Sequence, residues 1–410
     1  MADEVETVIV GGGQAGLATS YWLGQLGRPN IVLEQAAYAG SAWRDGRWDS
    51  FTLVTPNWSF RLPGAEYDGP DPDGFILRDE IVARFERYAE SKRLPVRYGL
   101  TVTSIEAADS GEGFKVKSNE GTWQARRVVV ATGLFQKGKI PDFAKGIPPT
   151  VRQIESGQYR NPQALESGAV LIVGSGQSGA QIAEELNQAG RKVYLCVGNS
   201  IHAQRRYRGR DLFEWLMLTG FTDRTVAQLP SPQARFFSTP LVTGKEGGHA
   251  LNLHSFYRNG VTLLGHLRGI ENGCLQVAPD LQESLTKADQ AEANALNRFN
   301  TYIEKAGISA PPPEQMEAPR DAYNAPEIPS VDLQKTGIAT IIWAKGHQAD
   351  FSLVKFPVFE ESGFPQTQAG VTAVPGLYFA GLPWQDTMKT GLLVGVGEST
   401  AHLAEHIQAR

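Results

Sequence analysis

Short apolar runs and stretches of helical period alternate along this chain. Thr7–Val10 reads as a buried parallel strand, apolar without interruption because both faces of such a strand are covered. The glycine-rich loop Gly11–Gly16 follows. A helical-period stretch, LATSYWLGQLG, then runs to Gly27, and a second strand, NIVLEQ, carries Glu34 near its end. Together these form a complete βαβ unit. Residues Gly40 to Pro63 are aromatic and loop-rich. A helix is predicted from about Arg78 to Lys92, with short strands around Val96, Val102 and Phe114. The run RRVVVATG is another buried strand, ending at Gly133.

A turn-rich linker, SGQYRNPQALESG, separates this region from a repeat of the same plan, AVLIVGSGQSGAQIAEELNQAGRKVYLCVG. Further on, Leu285, Leu296, Phe299, Tyr302 and Ile303 mark an amphipathic helix that ends at Gly307. A proline-rich linker, APPPEQMEAPRDAYNAPEIPS, follows. The segments IATIIWAKG and GLYFAGLP read as two last buried strands, and we assign both to the first domain. The expected fold class is α/β, with two Rossmann-like dinucleotide-binding domains, the second inserted in the first. The first domain spans residues 1–150 and 335–410; the second spans 165–330 and includes the helical insertion.

A chain of 410 residues needs more than one core, in agreement with two domains. Its formal charge of −5 gives no attraction to nucleic acid or to an anionic membrane. No apolar run reaches membrane-spanning length. The start, MADEVETVIVGG, passes from acidic residues straight into a strand, so no signal peptide is expected. The two cysteines, Cys196 and Cys274, form no CxxC pair, which argues against a disulfide framework and against a dithiol redox centre. A cytoplasmic protein is expected. No metal site is expected, because the seven histidines form no ligand pattern.

The first loop matches G-x-G-x-x-G through Gly11, Gly13 and Gly16, with Gln14 and Ala15 inside it. The first glycine permits a tight turn, the second a close approach of pyrophosphate, and the third close helix–strand packing. The helix N-terminus adds free N–H groups and roughly half a positive charge. Glu34, followed by Gln35, lies where an acid accepts ribose hydroxyls. The second loop matches through Gly174, Gly176 and Gly179, enclosing Gln177 and Ser178. No acid ends its second strand, so a ribose 2′-phosphate is tolerated there. The nearby QRRYRGRD offers Arg205, Arg206, Arg208 and Arg210 as guanidinium forks for that phosphate, the first three foremost. Two dinucleotides in one chain suggest an electron relay, in which a nicotinamide hands a hydride to a flavin.

The combination GGGQAG, SAWRDGRWDSFTLVTPNW, VVVATG, YRNP, GSGQSGAQIAEEL, RRYRGRD and VPGLYFAGLPW…GLLVGVGE resembles bacterial flavin-containing monooxygenases over nearly the whole length. The resemblance implies FAD on the first loop and NADPH on the second, with NADH still usable. It also implies that O2 adds to the flavin C4a and that one oxygen atom passes to a small organic substrate, at nitrogen, sulfur or a carbonyl carbon. The alternative is an NAD(P)H oxidase or reductase on the same scaffold; a non-catalytic flavin sensor is a third class. The resemblance places Trp43 and Arg44 in the flavin loop, and Thr55 and Asn57 in a loop covering the flavin edge. Asn57 is the catalytic candidate; its other reading is a turn residue. Thr132 and Gly133 lie where backbone approaches the cofactors, and the segment from Gly381 through Leu392 to Gly397 approaches the flavin pyrimidine. A homodimer is admitted. Against the family pattern, Glu155 stands in place of a histidine, and AKGH, with Lys345 and His347, in place of ATGY. His347 is read as structural.

Overall fold

In the computed structural model, residues 3–236, 239–313 and 319–410 are described, so residues 314–318 of the proline-rich linker lie outside the described residues. The chain forms two lobes, each built on a mostly or wholly parallel sheet with helices against it. The first sheet contains β1 (Asp3–Val10), β2 (Asn30–Glu34), β3 (Val96–Tyr98), β4 (Val102–Ala107), β5 (Phe114–Ser118), β6 (Gly121–Val130) and a strand from the far end of the chain, Leu377–Phe379. Its order is β3-β2-β1-β6-β5-β4. The long β6 pairs with β1 along one edge. Along its other edge it pairs antiparallel with β5 through Gly121–Ala125, and parallel with Leu377–Phe379 through Val128–Val130. Helix α1 (Gln14–Gln25) leaves β1 through the first glycine loop, and α2 (Arg78–Ser91) follows the aromatic loop region.

The second sheet is wholly parallel. It contains β7 (Arg152–Glu155), β8 (Ala169–Val173), β9 (Val193–Cys196), β10 (Thr262–Leu264) and β11 (Ile338–Trp343), in the order β7-β11-β8-β9-β10. This corrects one expectation. Ile338–Trp343 does not return to the first domain but lies between β7 and β8, with Val173 opposite Trp343. A parallel strand buried on both faces carries apolar residues throughout and bears no mark of the sheet it will join. The other strand, now β12 (Leu377–Phe379), does join the first sheet.

Helix α3 (Gln177–Gln188) follows the second glycine loop. The amphipathic helix α4 (Leu281–Ala306) buries Leu285, Phe299 and Ile303 and stops at Gly307, whose φ of 63° forms a left-handed cap. The chain crosses between lobes twice, and the crossings meet: Lys137–Gly138 pairs antiparallel with His347–Gln348. One apolar core continues from α1 and the aromatic loop of the first lobe into β8, β9 and α3 of the second.

Candidate active site

The two glycine loops are near copies. Gly11 has φ +106°, and a Cβ there would stand 2.6 Å from the Ala131 oxygen; Gly174 has φ +109°, with the Ala344 oxygen at 2.5 Å. A Cβ on Gly16 would overlap the Gly11 oxygen, and one on Gly179 the Gly174 oxygen. The chain itself therefore requires the first and third glycines of each loop. The middle ones differ: a Cβ on Gly13 or Gly176 would meet nothing within 4 Å. Each of these caps its helix in extended conformation, without a side-chain hydrogen bond to the exposed N–H groups. An uncapped helix start behind an open glycine is a cradle for a pyrophosphate. Both loops fit a dinucleotide on this ground.

The flanking residues brace the cradles. Gln14 donates to the Gly391 oxygen at 2.7 Å, and Gln177 to the Pro240 oxygen, at 2.5 Å. Gly381, at φ +75°, seats its backbone directly on Ala15, at the start of α1. Leu392 lies beside Gly391 and packs against the buried cluster that contains Phe213 and Trp215. Thr132 accepts from the Gln136 amide at 3.2 Å, and Gly133 takes φ +70° two residues after Ala131, which follows β6 and walls the first loop. Ser178 is half-buried in the first turn of α3.

At the ribose ends the two sites diverge. Buried Glu34 accepts from Gly12 N at 2.5 Å and from Ala36 N at 2.8 Å, which fixes the first loop; Gln35 is exposed. In the second loop Ser175 takes the place of Gly12. Its hydroxyl accepts from Gly198 N at 2.9 Å and lies 2.6 Å from the buried Ser200 hydroxyl. Val197 stands at the position of Glu34, so a neutral serine pair takes over the bracing of this loop. Motif reading gave Ser175 no role, yet laying one βαβ unit on the other places it on Gly12.

Two of the three foremost arginines expected to meet a phosphate are turned into packing. Arg205 is 4% exposed, pairs with Asp211 at 2.8 Å and donates to the Val54 oxygen at 2.7 Å. Arg208 donates to the Pro311 oxygen and to Asn300 on α4, at 2.7 and 3.0 Å. Both guanidinium groups serve packing; Arg206 is exposed on a short ribbon, opposite Asp211.

Asn57 is also corrected. It is 2% exposed, its amide donates to the Asp71 oxygen at 2.9 Å, and its side-chain oxygen accepts from Ile76 N at 2.7 Å. It clamps two loop strands together and presents no face to an open cleft. Thr55 pairs with the Ser59 hydroxyl at 2.6 Å. Arg44 faces α2, paired with Glu86 at 2.5 Å, so its charge is spent there. Trp43 packs at 5.9 Å from Phe51. Beside these two rings lies Arg47, to which no motif assigns a role. The Arg47 guanidinium stands 5.5 Å from each ring and donates to the Gly46 oxygen at 2.8 Å, and burial pushes its pKa down.

The departures from the family pattern sit where the lobes join. Glu155 accepts from Gly138 N at 3.0 Å and so ties β7 to the first crossing. His347 stacks edge-on against Phe135 at 5.3 Å; burial, then the Arg47 charge, push its imidazole pKa down. Tyr159 of the YRNP segment, fully buried, donates to Glu185 on α3, which also accepts from Ser50 of the first lobe.

His202, His254 and Asp289 bring their ligand atoms within 4.8 Å of one another. The network is nevertheless closed. Leu253 N donates to His202 Nε2 and Ala322 N donates to His254 Nδ1. Backbone N–H groups only donate, so each ring carries its proton on the other nitrogen, toward Asp289. No ring lone pair is left for a metal.

A family model described as pyridine nucleotide-disulphide oxidoreductase matches residues 8–212, from β1 through the second glycine loop to the arginine ribbon. The chain belongs to this family. A CzcO-like oxidoreductase of Geobacillus kaustophilus is 33% identical to it over 407 residues, covering 98% of each chain. Indole-3-pyruvate monooxygenase YUCCA1 of Oryza sativa is 27% identical over 79% of this chain and 82% of its own. Among solved structures, the fold matches the flavin-containing monooxygenase from Stenotrophomonas maltophilia with TM-score 0.68, at 19% identity over 99% of both chains. Among the described residues, no helix is long and apolar enough to cross a membrane.

Proposed function

We propose that this chain is a flavin-dependent monooxygenase, with FAD at Gly11–Gly16, NADPH at Gly174–Gly179 and O2 as co-substrate. The observation that carries the reading is the pair of open middle glycines, Gly13 and Gly176, each before an uncapped helix in a single chain. When bound, the nicotinamide would supply a hydride, and the flavin would accept it and pass electrons to oxygen. The chain's part is to hold and to shield. The N–H groups of α1 and α3 take the two pyrophosphates, Glu34 and the Ser175–Ser200 pair shape the ribose ends, and Gly381 brings the late segment onto α1. The aromatic loop, with Trp43 and Phe51 around Arg47, keeps water away. Disulfide reduction is disfavoured although the family name mentions it: burial pushes the Cys196 thiol up to about 12, and the only other cysteine, Cys274, lies on a separate hairpin. The names of the rice and Stenotrophomonas proteins support oxygenation of a small organic molecule. We place the enzyme in the cytoplasm, admit a homodimer, and expect neither nucleic acid nor membrane as partner.

The test is a substrate screen that counts NADPH consumed, hydrogen peroxide released and oxygenated product by mass. Product in step with NADPH is expected. Peroxide in step with NADPH for every substrate would make the chain an oxidase, and absence of NADPH consumption would overturn both readings.

A further inference from the structure

Arg205 and Arg208 are turned into packing, which leaves the exposed Arg206 as the cation expected from the arginine ribbon. A second candidate stands elsewhere. Strands β9 and β10 run parallel with Cys196 opposite Leu264, which sets the two residues beyond each pair side by side: Gly198 and His266. A Cβ on Gly198 would lie 3.6 Å from His266 Nε2. Gly198 is also the residue whose N–H rests on Ser175 of the second loop. His266 is held from behind. Asp280 accepts from its backbone N at 2.9 Å and lies 3.0 Å from its Nδ1. Arg268, exposed, reaches the same carboxylate at 3.3 Å. Among the described residues, Nε2 has no hydrogen-bond partner. The matching position of the first unit, beyond β3, is Gly99, which offers no side chain.

We propose that His266, positioned by Asp280 and seconded by Arg268, recognises the coenzyme's 2′-phosphate. The inference rests on reading the second loop as the nicotinamide dinucleotide site. Asp280 holds the ring through Nδ1 and so presents Nε2 beside Gly198, while Arg268 on the same carboxylate adds a cation. Val197–Ser200 add no opposing charge.

The experiment is calorimetric titration of the FAD-loaded protein with 2′,5′-ADP and with 5′-AMP. 2′,5′-ADP is expected to bind about tenfold tighter than 5′-AMP. His266→Ala and His266→Gln both bring this ratio toward one and leave 5′-AMP unchanged; the glutamine variant guards against loss of packing. Asp280→Asn lowers the ratio through the ring's orientation. Variants of His266 that keep the wild-type ratio overturn the inference, as does a wild type without preference. Gly176→Val separates the two claims. Loss of both ligands keeps the dinucleotide reading whatever His266 does, whereas unchanged binding of both overturns that reading as well.

Discussion

Arg205 of the second lobe donates across 2.7 Å to the carbonyl oxygen of Val54 in the first. Its charge lies against Asp211, and its guanidinium covers the Phe75 ring at 4.2 Å. Burial pushes Arg205 down to about 10 and the Asp211 carboxyl upward. Arg205→Ala leaves a buried carboxylate without its cation, so we expect a loss of about 3–5 kcal/mol in denaturant unfolding. The KM values for NADPH and NADH should shift together. A rise confined to NADPH would return the phosphate contact to this residue.

Glycines of one loop should respond differently to the same substitution. Gly13→Val adds atoms where the chain has none, in a backbone conformation valine accepts, so the fold should survive while FAD occupancy falls below about a tenth of the sites. Gly16→Val drives a side chain into the Gly11 oxygen and should yield no folded protein. Flavin absorbance per chain and circular dichroism read both. Full flavin in Gly13→Val would remove the first cradle from the site.

Asn57→Ala strands the Ile76 N–H and the Asp71 oxygen in the interior. The cost expected is about 1–3 kcal/mol per unsatisfied group, read as a lower denaturant midpoint at constant slope. Unchanged stability together with altered peroxide release would restore Asn57 to the chemistry.

Acid should loosen the packing of α4. Burial, outweighing the pull of Asp289, pushes the His254 imidazole below its ordinary 6.5. Burial alone would raise Asp289, but His202, Tyr323 and His254 bond to it and hold it at about 2, so it stays charged across the range concerned. The unfolded state then binds the extra proton first. The stabilisation is complete above pH 6.5 and is lost as the pH falls from there through the folded-state value. Urea midpoints measured from pH 7.5 downward should fall, and His254→Gln should flatten the decline. A wild-type midpoint insensitive to pH would refute the assignment.

Both glycine loops, α2, α4 and its cap at Gly307 were legible, because each is a local pattern: spacing, period, a glycine at a stop. Ile338–Trp343 was legible as a strand but not as a member of its sheet, since sheet membership is decided by partners far away in the chain. The direction of Arg205 and Arg208 was hidden for a related reason. A run of arginines records charge, and only folding decides which carbonyls and carboxylates meet it. Asn57 had two readings in sequence, and its side chain instead ties together Asp71 and Ile76, partners that no local pattern names. His266 belongs to no motif; it acquires meaning from the register of β9 against β10.

The second lobe enters and leaves the first at one place, where Gly138 faces His347 across an antiparallel pair. Residues so paired are about 5 Å apart. A gene deleted for residues 139–346 and closed by a short turn would still encode every strand of the first sheet. The inserted lobe is thus a cassette with both ends at a single seam. Excision or exchange at that seam leaves the first sheet uncut.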